Sequence, residues 1–492
     1  MSAPVVETAQ GRARGTAENG VAVFKGLPYA APPFGALRFK APAPPEPWKG
    51  VRDATNFGPT VPKAPYRLPF SGILEEPVIE GEECLNLNVW TPEAAGGGLP
   101  VLVWIHGGAY RNGSGAVSLY DGSAFARDGA VVVTLNYRLG ADGFLILDDA
   151  PANRGLLDLI AALQWIKANI AAFGGDPEKV TIFGQSAGAM AVTTLLAMPS
   201  AQGLFKRVIA QSGVGHRVMS TDDAAKVTSD LAKRLGAPPN REGFAAVPLD
   251  RLYAAQFALT QDIPKTPTRW GEIGITMMPF APVVDDASLP QDPLDAVRSG
   301  VGAGVELLLG SNTDEHRFFL VPPGLLDVLD DRFVDAALRI YGGHPTRLRE
   351  AYGERFSTPG ELFAAAATDF FFRLPDVSFA DARAAGAAGT WTYEFAWRSP
   401  LFSGRLGACH YLEVPFVFDT LDAPSAALVT GNAPPQAIAD EMHRYWLAFA
   451  ATGDPGWPRY TPERRAVMTF DLESDVVEDP RSEQRTAWLA QG

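Results

Sequence analysis

Residues 179–192, Lys179-Val180-Thr181-Ile182-Phe183-Gly184-Gln185-Ser186-Ala187-Gly188-Ala189-Met190-Ala191-Val192, decide the fold. The first part is β-branched and aromatic, as a buried strand requires. The last part is small and apolar, runs on to residue 198, and suits a buried helix. Between them, Gly184 to Gly188 spell G-x-S-x-G. A serine on a sharp strand-to-helix turn takes a strained backbone. Bulky neighbours would clash there, so small residues flank it. The following helix points its first N–H groups at the site, where they favour negative charge. Five letters alone fit a glycine-bracketed serine in any turn. The strand before and the helix after select a nucleophile elbow.

Outward from this turn, PVLVWIHG (100–107), AVVVTLNY (130–137), RVIAQSG (207–213) and VELLLGSN (305–312) are short apolar runs ending in Gly, Ser, Asn or Tyr. Such runs fit parallel strands covered on both faces. RGLLDLIAALQWIKANIAAFGG (154–175) has helical spacing, with Gly174 and Gly175 as its expected stop. Strand, helix, strand makes a βαβ crossover and hence a parallel sheet. A second long helix is expected over 436–453, and 220–300 reads as mostly helical. The fold class is α/β, a central, mostly parallel, twisted sheet flanked by helices. Residues 1–492 read as one domain with long excursions around 60–80, 215–300 and 320–385.

Composition narrows the partners. Lys and Arg number 42 against 56 Asp and Glu, a net charge of −14, which argues against nucleic acid and anionic membrane. No uninterrupted apolar run reaches the ~18 residues of a membrane span. The first twenty residues contain no apolar leader core, so a cytoplasmic location is expected. Two cysteines, Cys84 and Cys409, exclude a disulfide framework.

The strand over 100–105 runs into His106-Gly107-Gly108-Ala109-Tyr110. Two glycines let backbone N–H groups approach a ligand with no Cβ in the way. Gly107, Gly108 and Ala187 are therefore the expected oxyanion donors. Elbow folds carry serine, then acid, then histidine along the chain. That order excludes His106 as the base and disfavours His216. His443 lies in the patterned helix 436–453, and His344 has no strand leading to it. His410, in a loop before YLEVPFVF, stands out. The acid belongs just past a strand end, where Asp314 and Glu315 both stand; spacing does not choose between them.

With these pieces in order, the chain resembles the type-B carboxylesterases, the family that includes the cholinesterases. The resemblance covers nearly the whole length. It rests on Phe24-Lys25-Gly26-Leu27-Pro28-Tyr29-Ala30, Glu83-Cys84-Leu85-Asn86-Leu87-Asn88-Val89, Asn136-Tyr137-Arg138, Asp158, Phe173-Gly174-Gly175-Asp176-Pro177 and Thr452-Gly453-Asp454-Pro455. It implies an α/β-hydrolase fold. It also implies Glu315 as the acid and His410, in G-x-x-H-x-x-E with Gly407 and Glu413, as the base. Ser212, in Gln211-Ser212-Gly213, matches a supporting serine near that histidine. Two departures stand out. His316 replaces the family glycine after the acid, and a φ above zero there would be costly for histidine. Cys84 lacks the upstream cysteine found in secreted relatives, so it is expected to be a free, buried thiol.

The implied activity is hydrolysis of carboxylic esters through an acyl-enzyme on Ser186, with broad specificity for apolar small-molecule esters and with carbamates or anilides as the alternative substrates. A non-catalytic, cholinesterase-like binding protein is the remote alternative. The chemistry calls for no cofactor and no metal. Expected pocket residues are Tyr110, Phe318, Phe319, Phe370, Phe371 and the adjoining Phe372, with the loop 60–80 at the mouth. The chain is expected to act as a monomer or small homo-oligomer.

Overall fold

The structure, a computed structural model, describes residues 3–92, 97–353, 356–384 and 386–489. Among the described residues, fourteen strands follow one another: β1 Val5–Thr8, β2 Gly11–Arg14, β3 Thr16–Glu18, β4 Val21–Pro28, β5 Val51–Asp53, β6 Asn86–Pro92, β7 Leu99–Ile105, β8 Val131–Leu135, β9 Gly175–Gln185, β10 Arg207–Gln211, β11 Glu306–Asn312, β12 Thr390–Phe395, β13 Ala466–Phe470 and β14 Asp475–Glu478. Strands β1, β2 and β5 form a small sheet of their own. The other eleven form one sheet in the order β14-β13-β12-β11-β10-β9-β7-β8-β6-β4-β3. Its centre, from β13 to β8, is parallel, and antiparallel strands close both edges.

The apolar runs become central strands because both faces are covered. Val101, Val103 and Ile105 of β7 join one hydrophobic cluster, while Leu102 and Trp104 join the other. Successive side chains point to opposite faces, so one strand feeds both cores. Helix Arg154–Asn169 packs Leu156, Leu159, Leu163 and Ile166 into the first cluster. Helix Gln436–Thr452 packs Met442, Trp446 and Phe449 into the second. Residues 220–300 hold several helices, including Thr221–Leu235 and Leu249–Asp262, in line with the mostly helical pattern.

The expected helix stop differs in detail. The α-helix ends at Asn169 and tightens into a 3₁₀ turn over Ile170–Phe173. Gly174 alone takes the left-handed conformation, at φ 83°, and Gly175 already opens β9. Arg154–Phe173, with mean hydropathy 1.4, is long and apolar enough to cross a bilayer by length and composition. Most of it is buried in this fold, and a helix enclosed on several sides is apolar nearly all round. Arg138 and Asp158, within the quoted motif, form a buried two-pronged ion pair at 2.8 and 2.7 Å that ties the segment after β8 to this helix.

Candidate active site

The candidate residues gather beyond the C-terminal ends of the parallel strands, where α/β sheets present their ligands. Ser186 follows β9 and caps helix Ala187–Ala197 with φ 58° and ψ −125°. For a residue with a Cβ this is a strained conformation, and it needs surroundings that enforce it. The surroundings are tight. A Cβ on Gly188 would lie 2.0 Å from the Ile105 carbonyl oxygen, so the elbow rests directly on β7. A Cβ on Gly107 would lie 2.6 Å from the Gln185 carbonyl oxygen and 3.0 Å from the Ser186 Cβ. The Gly107 loop therefore touches the Ser186 turn main chain to main chain. Ser186 N–H donates to the Gln211 carbonyl at 2.9 Å, which pins the turn to the end of β10.

Ala187 follows Ser186 in the turn, Gly107 packs against it, and Gly108 is the next residue of the Gly107 loop. Among the described residues, no protein oxygen accepts a hydrogen bond from their N–H groups. Donors left free beside a serine can hold an oxyanion. His106 supports the loop from behind. It stacks on Tyr137 at 4.6 Å, its Nδ1 lies 2.8 Å from the Gly107 carbonyl, and burial holds its pKa down at about 4.

Glu315 and His410 form the second half. Glu315 is fully buried, its Oε2 lies 2.5 Å from His410 Nδ1, and its Oε1 accepts from the Asn312 N–H at 2.7 Å. Asp314 points elsewhere. It pairs with Arg317 at 3.1 Å and Arg398 at 2.6 Å, and it accepts from Ala408 N–H at 3.0 Å. The two neighbouring carboxylates have different partners, and only one faces the imidazole.

Behind Glu315 lies a network in which Glu413 and Gln211, quoted in sequence only as motif neighbours, join Asn312 and Trp446. Asn312 Nδ2 donates to Glu413 Oε2 at 2.8 Å and to the Cys409 carbonyl at 2.7 Å. Gln211 Nε2 donates to Glu413 Oε1 at 3.2 Å, and Trp446 Nε1 donates to Gln211 Oε1 at 3.1 Å. Burial, then the charge of Glu315, pushes the Glu413 carboxyl up to about 7. The polar residues Gln211 and Asn312, each at the C-terminal end of a strand with an apolar centre, were the available signal. Ser212 is buried with φ 57°, and its hydroxyl has no protein partner among the described residues.

The expected pocket residues divide. Phe318 and Phe319 lie 6.1 and 5.4 Å from the His410 ring, and Phe372 is nearer at 5.0 Å. Phe371 stacks on His316 at 5.5 Å. Phe370 turns to Tyr341 and Trp488, at 4.3 and 5.8 Å. Tyr110 is fully buried against Phe144, at 4.7 Å, so it packs as core. Phe70, from the loop 60–80, touches Phe318 at 5.5 Å and brings that loop to the same region.

His316 corrects an expectation. Its backbone is ordinary right-handed, φ −73° and ψ −14°, so the histidine carries no left-handed strain. Its ring is enclosed by Phe319, Phe363 and Phe371, and burial lowers its pKa to about 3. The phenylalanine run is a π-helical turn, Asp369–Arg373. Asp369 and Arg373 pair at 2.5 and 2.7 Å, Tyr352 donates to Asp369 at 2.5 Å, and Trp488 donates to Tyr352 at 2.9 Å. Cys84 and Cys409 are free, buried thiols, and burial pushes Cys84 up to about 12. His443 stacks on Phe125 at 3.9 Å, a packing role.

A large, mostly parallel sheet that carries a serine elbow and a buried Glu–His pair beyond its strand ends is an α/β-hydrolase. Residues 2–488 match the model of the carboxylesterase family. The chain is 39% identical to a para-nitrobenzyl esterase of Bacillus subtilis (strain 168), covering 99% of this chain and 98% of the relative. It is 35% identical to a phenmedipham hydrolase of Pseudarthrobacter oxydans over 97% of each chain. Among solved structures, a carboxylesterase of Geobacillus stearothermophilus superposes with TM-score 0.86 at 39% identity, covering 98% of this chain and 99% of that one. The chain belongs to the carboxylesterase family. It is a carboxylic ester hydrolase whose substrates are small-molecule esters.

Proposed function

We propose that Ser186 is the nucleophile, His410 the general base and Glu315 the acid that orients it. The observation that carries this reading is the 2.5 Å contact between Glu315 and His410 Nδ1, on the strand-end side that also bears the strained Ser186. An ionised carboxylate only accepts, so Nδ1 carries the proton and Nε2 is the free base. Nε2 takes the Ser186 proton as Oγ adds to the ester carbonyl carbon. The N–H groups of Gly107, Gly108 and Ala187 hold the resulting oxyanion. Glu315 stabilises the imidazolium, which returns its proton to the leaving alcohol. Water then repeats the sequence on the acyl-enzyme and frees the acid.

The phenylalanines around His410 favour apolar esters of broad range. Phe318, Phe319, Phe371 and Phe372 form the wall in this reading. The relative named as a phenmedipham hydrolase supports a second reading, in which the same residues cleave a carbamate. The chain works as a monomer or small homo-oligomer, in the cytoplasm.

Hydrolysis of p-nitrophenyl esters from acetate to decanoate, by the wild type and Ser186→Ala, tests this assignment. The variant should fall at least ~10³-fold, toward the uncatalysed rate. Retained activity in Ser186→Ala would remove the serine from the mechanism. The chain-length optimum measures the acyl side of the pocket.

A further inference from the structure

Gln185 is the last residue of β9 and is buried beside the nucleophile. Its side-chain Nε2 lies 3.1 Å from His410 Nε2 and 3.4 Å from His410 Nδ1. A point so nearly equidistant from both ring nitrogens cannot lie in the ring plane, where it would collide with the carbon between them. The amide therefore lies over one face of the imidazole. The in-plane lone pair of Nε2 stays open for the serine proton, while Nδ1 is held by Glu315 at 2.5 Å. Phe372 and Phe319 also pack close to the ring, at 5.0 and 5.4 Å.

We propose that Gln185 is a positioning residue for His410: its neutral amide fixes the plane of the imidazole and keeps negative charge off that face. This rests on His410 being the base. Among the described residues, three titratable groups stand at or behind the ring. Glu315 meets Nδ1, Glu413 stands behind it through Asn312, and His316 adjoins on the phenylalanine side. A second carboxylate in van der Waals contact with the ring would hold the proton more tightly, and the base would be blocked at higher pH. An amide is the polar group of the same shape that lacks this effect.

The test is a pH profile of kcat/KM from pH 5 to 8 for the wild type, Gln185→Glu and Gln185→Met. Gln185→Glu should move the acidic limb up by at least ~1 pH unit, so its rate at pH 5.5 falls about tenfold further below its own plateau than that of the wild type. Gln185→Met keeps the bulk and loses the amide. Its limb should stay with the wild type, while plateau kcat falls several-fold at nearly constant KM. A limb in Gln185→Glu that coincides with the wild type overturns the proposal. So does wild-type kcat in Gln185→Met, a variant that stays informative if the buried carboxylate prevents folding. The reading of His410 as the base fails separately, if His410→Ala keeps the wild-type rate.

Discussion

The two halves of the site are built from different material. The elbow around Ser186 is made of main chain: Gly188 against the Ile105 carbonyl, Gly107 against the Gln185 carbonyl, Ser186 N–H on the Gln211 carbonyl. The half around Glu315 and His410 is made of side chains: carboxylates, amides and an indole, linked over Asn312, Gln211 and Trp446. Main-chain packing leaves no room for substitution, so it appears in sequence as a compact motif. A side-chain network draws its members from distant strands and appears as scattered polar residues.

The sharpest break of this contrast compares the two neighbouring carboxylates. Glu315→Gln should lower kcat by roughly 10²- to 10⁴-fold, because the amide cannot hold the imidazole in the required tautomer or stabilise its charge. Asp314→Asn removes ion pairs to Arg317 and Arg398 instead, so stability should fall by about 1–3 kcal/mol while kcat changes only a few-fold. Equal losses of kcat in the two variants, measured on one p-nitrophenyl ester, would show that the halves are not separable in this way.

On the main-chain side, Gly188→Ala places a methyl group 2.0 Å from a backbone oxygen that cannot turn aside. The elbow must shift, and a misplacement near 1 Å can cost about a hundredfold in rate. Activity and thermal midpoint should therefore fall together, in contrast to Glu315→Gln. A variant with unchanged melting and unchanged rate would refute the tight contact.

The smallest expected effect concerns Glu413. Its folded pKa, about 7, lies above the ordinary glutamate value of 4.5. The native state then binds the proton more tightly than the unfolded chain does. This raised pKa costs nothing below about 4.5, and the cost grows as pH rises to about 7. Glu413→Gln has no such titration. Between pH 5 and 8 its stability relative to the wild type should improve by up to a few kcal/mol, measured by urea unfolding at each pH. Parallel stability curves would mean that Glu413 is ionised throughout. His106, His216 and His316, held near 4, 3 and 3 by burial, act in the opposite sense in both proteins: stability is lost as pH falls below the ordinary histidine range. They cancel in the difference.

This contrast also explains how much of the molecule was legible in its sequence. The central strands and two long helices could be read because continuous apolar runs and helical spacing follow directly from burial on both faces. Gly174 marked the helix end, yet the change to a tighter turn at Ile170 has no signal in residue type. The choice between Asp314 and Glu315 came only through resemblance, since each lies just past β11 and their burial differs by tertiary contact. Tyr110 was one of the aromatic pocket candidates, but its ring turns into the core against Phe144. His316 looked strained against the family glycine; its backbone took the common helical conformation and removed the conflict.

The π-helical turn has a consequence for how the protein is made. Its phenylalanines reach His410 and His316, while its ion pair is braced by Tyr352 and, through it, by Trp488. Parallel pairing of β12 with β13 likewise waits for residues 466–470. Synthesis runs from the N-terminus, and the residues whose contacts make the elbow and its glycine loop, 105–211, lie in the first half of the chain. The brace on the phenylalanine turn beside His410 is complete only after Trp488 has emerged, so the nascent chain carries Ser186 long before that turn is secured.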